Sequence, residues 1–117
     1  MNLGLVNFIG LLFLFQLTII AQNKSEKIFV DGVCMMCENR IEKNGIKLKG
    51  VKMVDWNMDD RMLTVLYNEN KVTIDEIHKH IASLGHDTMK EKAPEKAYNS
   101  LNACCKYRDE EVVKNHQ

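Results

Sequence analysis

Apolar and polar positions along this chain follow two different periods, and the places where the period changes mark out the elements. Lys27 to Asp31 (KIFVD) is a short apolar run that predicts a strand. After it, Cys37, Ile41 and Leu48 recur at helical spacing up to Gly50 and predict a first helix. Asn44-Gly45 falls inside that helix, and an interior glycine costs about 1 kcal/mol, so the helix is expected to be weak or to end early. Val54, Trp56 and Met58 then alternate on one face, as do Leu63, Val65 and Tyr67, with Asp59-Asp60 between the two runs, which predicts a hairpin. Thr73 and Glu76 form a capping box with Val72 and Ile77 as a hydrophobic staple, opening a second helix whose buried stripe is Ile77, Ile81 and Leu84 and whose stop is Gly85. A last strand is expected over His86 to Glu91.

The resulting order, βαββαβ, is of the α+β class. It corresponds to the ferredoxin-like arrangement, a four-stranded antiparallel sheet with two helices on one face. In that topology the loop after the first strand and the loop after the second helix lie at the same end of the sheet. Cys34 and Cys37 are therefore expected near Gly85-His86.

Two segments lie outside this unit. Leu3 to Ala21 carries no charge and reads as the apolar stretch of a secretory signal, with cleavage after Ala21, or alternatively as a membrane anchor; either places the rest of the chain outside the cytoplasm, in the periplasm. Residues 22–26 are a linker, 27–91 the domain, and 92–117 a C-terminal extension. In that extension Tyr98, Leu101 and Cys105 share a helical stripe, so a short helix from about Glu95 to Tyr107 is expected to dock on the domain, with a charged, frayed end beyond it.

Sixteen basic residues balance sixteen acidic ones, which removes any long-range electrostatic case for nucleic acid or an anionic membrane surface. The chemistry is therefore sought in the four cysteines, Cys34, Cys37, Cys104 and Cys105. Outside the cytosol thiols tend to oxidise, but a C-x-x-C bridge or a bridge between neighbours closes too small a loop to constrain the unfolded chain much. Reactivity explains their placement better than stapling does. Thiolates suit soft Cu(I), and also Hg(II) or Zn(II), and a C-x-x-C at a helix start gains from the dipole and the free N–H groups there, a benefit expected for Cys37.

The motif Gly32-Val33-Cys34-Met35-Met36-Cys37-Glu38, with Ile41, Gly50-Val51 and Leu84-Gly85-His86 at their spacings, resembles the heavy-metal-associated domain over about residues 26 to 91. That family includes copper chaperones, the metal-binding domains of copper-transporting ATPases and periplasmic mercury-binding proteins. The resemblance implies a soft ion held by the thiolates of Cys34 and Cys37 in an exposed loop and passed by ligand exchange to a partner with a similar site, such as a copper-transporting ATPase. Met35 and Met36 add thioethers that could touch Cu(I), the competing reading being that one caps the core and the other is a flexible exposed side chain. His86 stands where many members carry Tyr, Phe or Lys, and its imidazole is a candidate third ligand, against the alternative of a solvated loop histidine. His78, His80 and His116 are assigned nothing.

Cys104-Cys105 has no counterpart in the minimal domain. The pair could reach over Cys34 and Cys37 to complete a four-thiolate site, act as a redox switch, bind a second ion, or be buried or oxidised without a ligand role. Two other classes compete: a thiol–disulfide oxidoreductase using Cys34 and Cys37, which would want a cis-proline near the dithiol where this chain has only Pro94, and a structural zinc module using all four cysteines. The reading that accounts for most of the chain is an exported, non-enzymatic metal-binding protein, with Cu(I) as its expected ion, acting as a metallochaperone or buffer.

Overall fold

The computed structural model describes residues 22–117; the expected signal segment, residues 1–21, lies outside them. Among the described residues, no helix is long and apolar enough to cross a membrane. Strand β1 (Asn23–Phe29) leads into helix α1 (Met35–Gly45), followed by the hairpin β2 (Val51–Trp56) and β3 (Met62–Asn68) and by helix α2 (Ile74–Ser83). The extension holds a short helix α3 (Glu95–Asn99), a single 3-10 turn (Ala103–Cys105) and a last helix α4 (Glu110–Lys114).

The sheet is antiparallel and ordered β1-β3-β2. Its central strand β3 shows the alternation the sequence announces: Leu63, Val65 and Tyr67 are buried, and the residues between them are half-buried. On that face Ile41 of α1 and Ile77 and Ile81 of α2 join Trp56, Ile28 and Val30 in one core. Burial of these side chains stabilises the unit by about 1.5–3 kcal/mol each. Helix α2 opens as expected, Thr73 Oγ1 accepting from the Glu76 N–H at 3.2 Å while the Glu76 carboxylate accepts from the Thr73 N–H at 3.4 Å. Helix α1 ends at Gly45, short of Gly50, in line with the early stop expected there.

The fourth strand is the point of difference. Only an isolated bridge, Val30 to Thr88, marks its place beside β1, so the sheet has three strands. Two backbone bonds remain, Asp31 N–H to the Asp87 carbonyl at 2.8 Å and Met89 N–H to the Phe29 carbonyl at 3.3 Å. Beyond them the chain turns away. Thr88 N–H donates to the Glu91 carbonyl at 2.8 Å, and Thr88 Oγ1 accepts from the N–H groups of Lys90 and Glu91. The Asp87 N–H is taken by the Tyr107 hydroxyl at 2.8 Å and its carboxylate by the Ala93 N–H at 2.7 Å. Local turn bonds and the docked extension thus satisfy groups that a longer ladder would have used.

The extension is fastened at several points. Tyr98, Leu101, Cys105 and Tyr107 are all buried in the same core. The Tyr107 hydroxyl also donates to the Gly85 carbonyl at 2.7 Å, and Arg108 grips Asp87 with two bonds, Nη2 to Oδ1 at 2.7 Å and Nε to Oδ2 at 3.2 Å. Its guanidinium stacks 4.2 Å from the Tyr98 ring centroid. Burial alone would raise Asp87, but the Arg108 guanidinium and the Ala93 N–H outweigh it and hold its carboxyl below the usual range. The end expected to fray is ordered instead: the Asp109 side chain caps α4 by accepting from the Glu111 N–H, and Val112 and Val113 pack on the core.

Candidate metal centre

The loop after β1 brings the first cysteine to the start of α1. Cys34 is the N-cap residue, in extended conformation at φ −138° and ψ 172°, and its carbonyl accepts the first helical bond from Glu38 at 3.1 Å. The loop is drawn tight against the core at Gly32, where a Cβ would stand 3.0 Å from the Trp56 ring and 3.2 Å from Cys37 Cβ, closer than side-chain atoms normally pack. Trp56 is itself pinned there, its indole N–H donating to the Val30 carbonyl at 3.0 Å. Loop and helix start are thereby held on the sheet end where Gly85-His86 also lies, as the topology predicts: His86 Nδ1 is 2.8 Å from the Asp31 carbonyl.

All four cysteines are reduced and meet at this point. Cys34 Sγ is 3.4 Å from Cys37 Sγ, 3.2 Å from Cys105 Sγ and 3.6 Å from Cys104 Sγ. The sulfurs of Cys34, Cys104 and Cys105 all lie within 4.8 Å of one another. The dithiol is not in an exposed loop. Cys34 is 8% exposed and Cys37 and Cys105 are 0% and 1% exposed, because the extension lies over them; Cys104 is half-exposed.

Helix position does not make Cys37 the readier thiolate. Burial is the largest influence on it and raises its thiol. For Cys34, burial also works upward, but the neighbouring thiol of Cys105, the Cys37 N–H and the thiols of Cys37 and Cys104 together bring it below the ordinary thiol value. Cys105 is pushed far up by burial and by the thiols of Cys37 and Cys34, and Cys104 is raised first by its bond to Cys34. Among the four, these influences favour the loss of a proton first at Cys34, the N-cap residue.

The other candidates fall differently. Met35 is 68% exposed and stands apart, whereas Met36 turns its Sδ to within 3.3 Å of Cys104 Sγ. His86 is neither solvated nor part of the sulfur group: it is 0% exposed, stacks on Tyr107 with ring centroids 5.6 Å apart, and joins no cluster of metal-capable side chains among the described residues. Its Nδ1 faces a carbonyl and so carries the proton, which leaves Nε2 a bare lone pair with no hydrogen-bond partner among the described residues. Burial pushes its pKa down to about 4, so the ring is neutral. His78, assigned nothing from sequence, is buried too and pairs with Thr88 Oγ1 at 2.7 Å. Its signal was present in the helix pattern, since it neighbours Ile77 on the inward face of α2.

Comparison with known proteins agrees with this architecture. A copper chaperone, CopZ, from Staphylococcus epidermidis is 36% identical over 61 residues, which is 51% of this chain and 90% of that protein. A copper-transporting ATPase from Helicobacter pylori is 32% identical over 72 residues, 61% of this chain; the match spans only 10% of the ATPase. Among solved structures, the N-terminal domain of a potential copper-translocating P-type ATPase from Bacillus subtilis, in its Cu(I)-loaded state, superposes with a TM-score of 0.54 at 26% identity, covering 57% of this chain and 85% of that one. The heavy-metal-associated domain matches residues 27–87, just over half of the chain, and the protein belongs to that family.

Proposed function

We propose that the protein is an exported carrier or buffer of Cu(I), binding the ion through Cys34 and Cys37 and performing no catalytic turnover. The observation that carries this reading is the reduced pair of sulfurs 3.4 Å apart at the first turn of α1, in a chain of the heavy-metal-associated family. Soft thiolates favour Cu(I), and the relatives named for copper chaperoning and transport support that ion over Zn(II) or Hg(II). Those relatives also point to a copper-transporting ATPase as the acceptor, reached by ligand exchange between like sites. Export rests on the uncharged stretch from Leu3 to Ala21.

The test is an anaerobic titration of reduced residues 22–117, which hold the whole core described above, with Cu(I) against a chromophoric chelator. Wild type is expected to compete and Cys34→Ser/Cys37→Ser to lose tight binding; equal competition by both would sink the proposal. Export is checked by N-terminal sequencing of protein recovered outside the cytoplasm, expected to begin at Gln22 or, if anchored, to remain with the membrane. Recovery from the cytoplasm alone would refute it.

A further inference from the structure

The family's two-cysteine site leaves three sulfurs of this cluster without a role. Cys104 and Cys105 are neighbours in sequence, 70 and 71 positions from Cys34, yet both Sγ atoms come within 3.6 Å of Cys34 Sγ. The 3-10 turn does this: the Cys105 N–H bonds the Asn102 carbonyl at 2.8 Å, which folds the backbone tightly enough to aim two successive side chains at one point. Packing accounts for only one of them. Cys105 is buried as a small apolar side chain would be, but Cys104 is half-exposed and gains little from burial, while its Sγ reaches Cys34 on one side and Met36 Sδ on the other.

We propose that Cys104 and Cys105 are further ligands of the ion that Cys34 and Cys37 bind, so that the C-terminal extension closes a site of four thiols gathered on Cys34, three of them holding the ion at a time, with the Met36 thioether at its rim. This rests on the Cu(I) reading above. The geometry fits. Thiolate sulfurs about 2.3 Å from a metal in one plane stand about 4 Å apart. The observed separations of 3.2 and 3.6 Å, within a group no wider than 4.8 Å, need to open by less than about 1 Å. As the ion enters, each thiol that binds it gives its proton to solvent, and the ion keeps its charge, so no oxidant or reductant takes part.

A consequence follows for exchange. Cys34, Cys37 and Cys105 are shielded, and the sulfurs of the group that meet solvent are those of Cys104 and Met36. An incoming thiolate therefore starts at the Cys104 edge, and release is slower than from an open two-thiolate loop. The extension makes the protein a holder of the ion more than a rapid donor.

X-ray absorption of the Cu(I)-loaded protein counts the sulfurs, and competition with a chromophoric chelator gives affinity and release rate, for residues 22–117 as wild type, Cys104→Ser, Cys104→Ser/Cys105→Ala and Cys34→Ser/Cys37→Ser. Three sulfurs are expected in wild type and two in the double tail variant, with affinity lowered about 100-fold, the upper end of what even residues beyond the ligands cost, and with faster release. Two sulfurs in wild type, with affinity and release unchanged in the tail variants, would overturn the proposal while leaving the carrier reading intact. Retention of tight binding by Cys34→Ser/Cys37→Ser would instead defeat the carrier reading. Should Cys105→Ala unfold the chain, as circular dichroism would reveal, Cys104→Ser at the half-exposed position decides alone: it must lower affinity and change the release rate, and affinity and release both unchanged count against the proposal.

Discussion

Replacing Tyr107 by phenylalanine removes one oxygen from the joint between the C-terminal extension and the loop after α2. The ring stays, with its stacking on His86 and its edge contact with Tyr98 at 5.1 Å. What is lost is a donor to the Gly85 carbonyl at 2.7 Å and an acceptor for the Asp87 N–H at 2.8 Å. The carbonyl is buried and would be left without that partner, a cost of about 1–3 kcal/mol; the N–H is nearer solvent and adds about 1 kcal/mol or less. The sum is about 1–4 kcal/mol, with a middle value of about 2 kcal/mol, a large share of the stability of a domain this small. Urea unfolding of the metal-free, reduced protein measures it: with a dependence of about 1 kcal/mol per molar, the midpoint falls by about 2 M. A second readout separates local undocking from global loss. Cys105, 1% exposed, should react faster with a chromogenic disulfide reagent in Tyr107→Phe than in wild type even without urea. A stability change below about 0.5 kcal/mol, the range of ordinary surface substitutions, with no change in Cys105 reactivity, would show that this hydroxyl does not hold the extension down.

Acid should destabilise the protein through its buried histidines. The folded pKa of His86 is about 4 against 6.5 for the free side chain, so its contribution is fully present above pH 6.5 and is lost as pH falls from 6.5 through 4; a gap of that size is worth about 3 kcal/mol, and buried His78 acts in the same direction. Urea unfolding from pH 7.5 to 4.5 should show this slope in wild type and a shallower one in His86→Phe; identical slopes would contradict the assignment. Gly85 sits at φ +110°, and a Cβ there would come within 2.9 Å of the Ala97 carbonyl and of Leu101 in the extension. Gly85→Ala should cost about 2 kcal/mol or more in thermal or urea unfolding from strain and displacement together, and a near-neutral result would mean that the extension is not seated against this turn.

Local pattern determined most of the frame. The alternation in β3, the capping box at Thr73 and Glu76 and the stop at Gly85 each act through neighbours within a few positions, so they can be read along the chain. The C-x-x-C at the start of a helix is legible for the same reason. Tyr98, Leu101 and Cys105 are buried as expected, but the helix expected from about Glu95 to Tyr107 stops at Asn99 and Cys105 falls in a separate 3-10 turn. What only the tertiary structure decided depends on groups 20 to 71 positions apart. The Tyr107 hydroxyl and the Asp87 N–H lie 20 residues apart, and their bond is part of what turns an expected fourth strand into a single bridge. The depth of His86, the choice of Met36 over Met35, and the shielding of Cys34 and Cys37 follow from where the extension docks. A pattern of hydrophobic residues says that a segment will seek a partner surface, because burial is non-directional. Which sulfurs then meet is set by directional hydrogen bonds and close packing across the joint, and those exist only once the chain has folded.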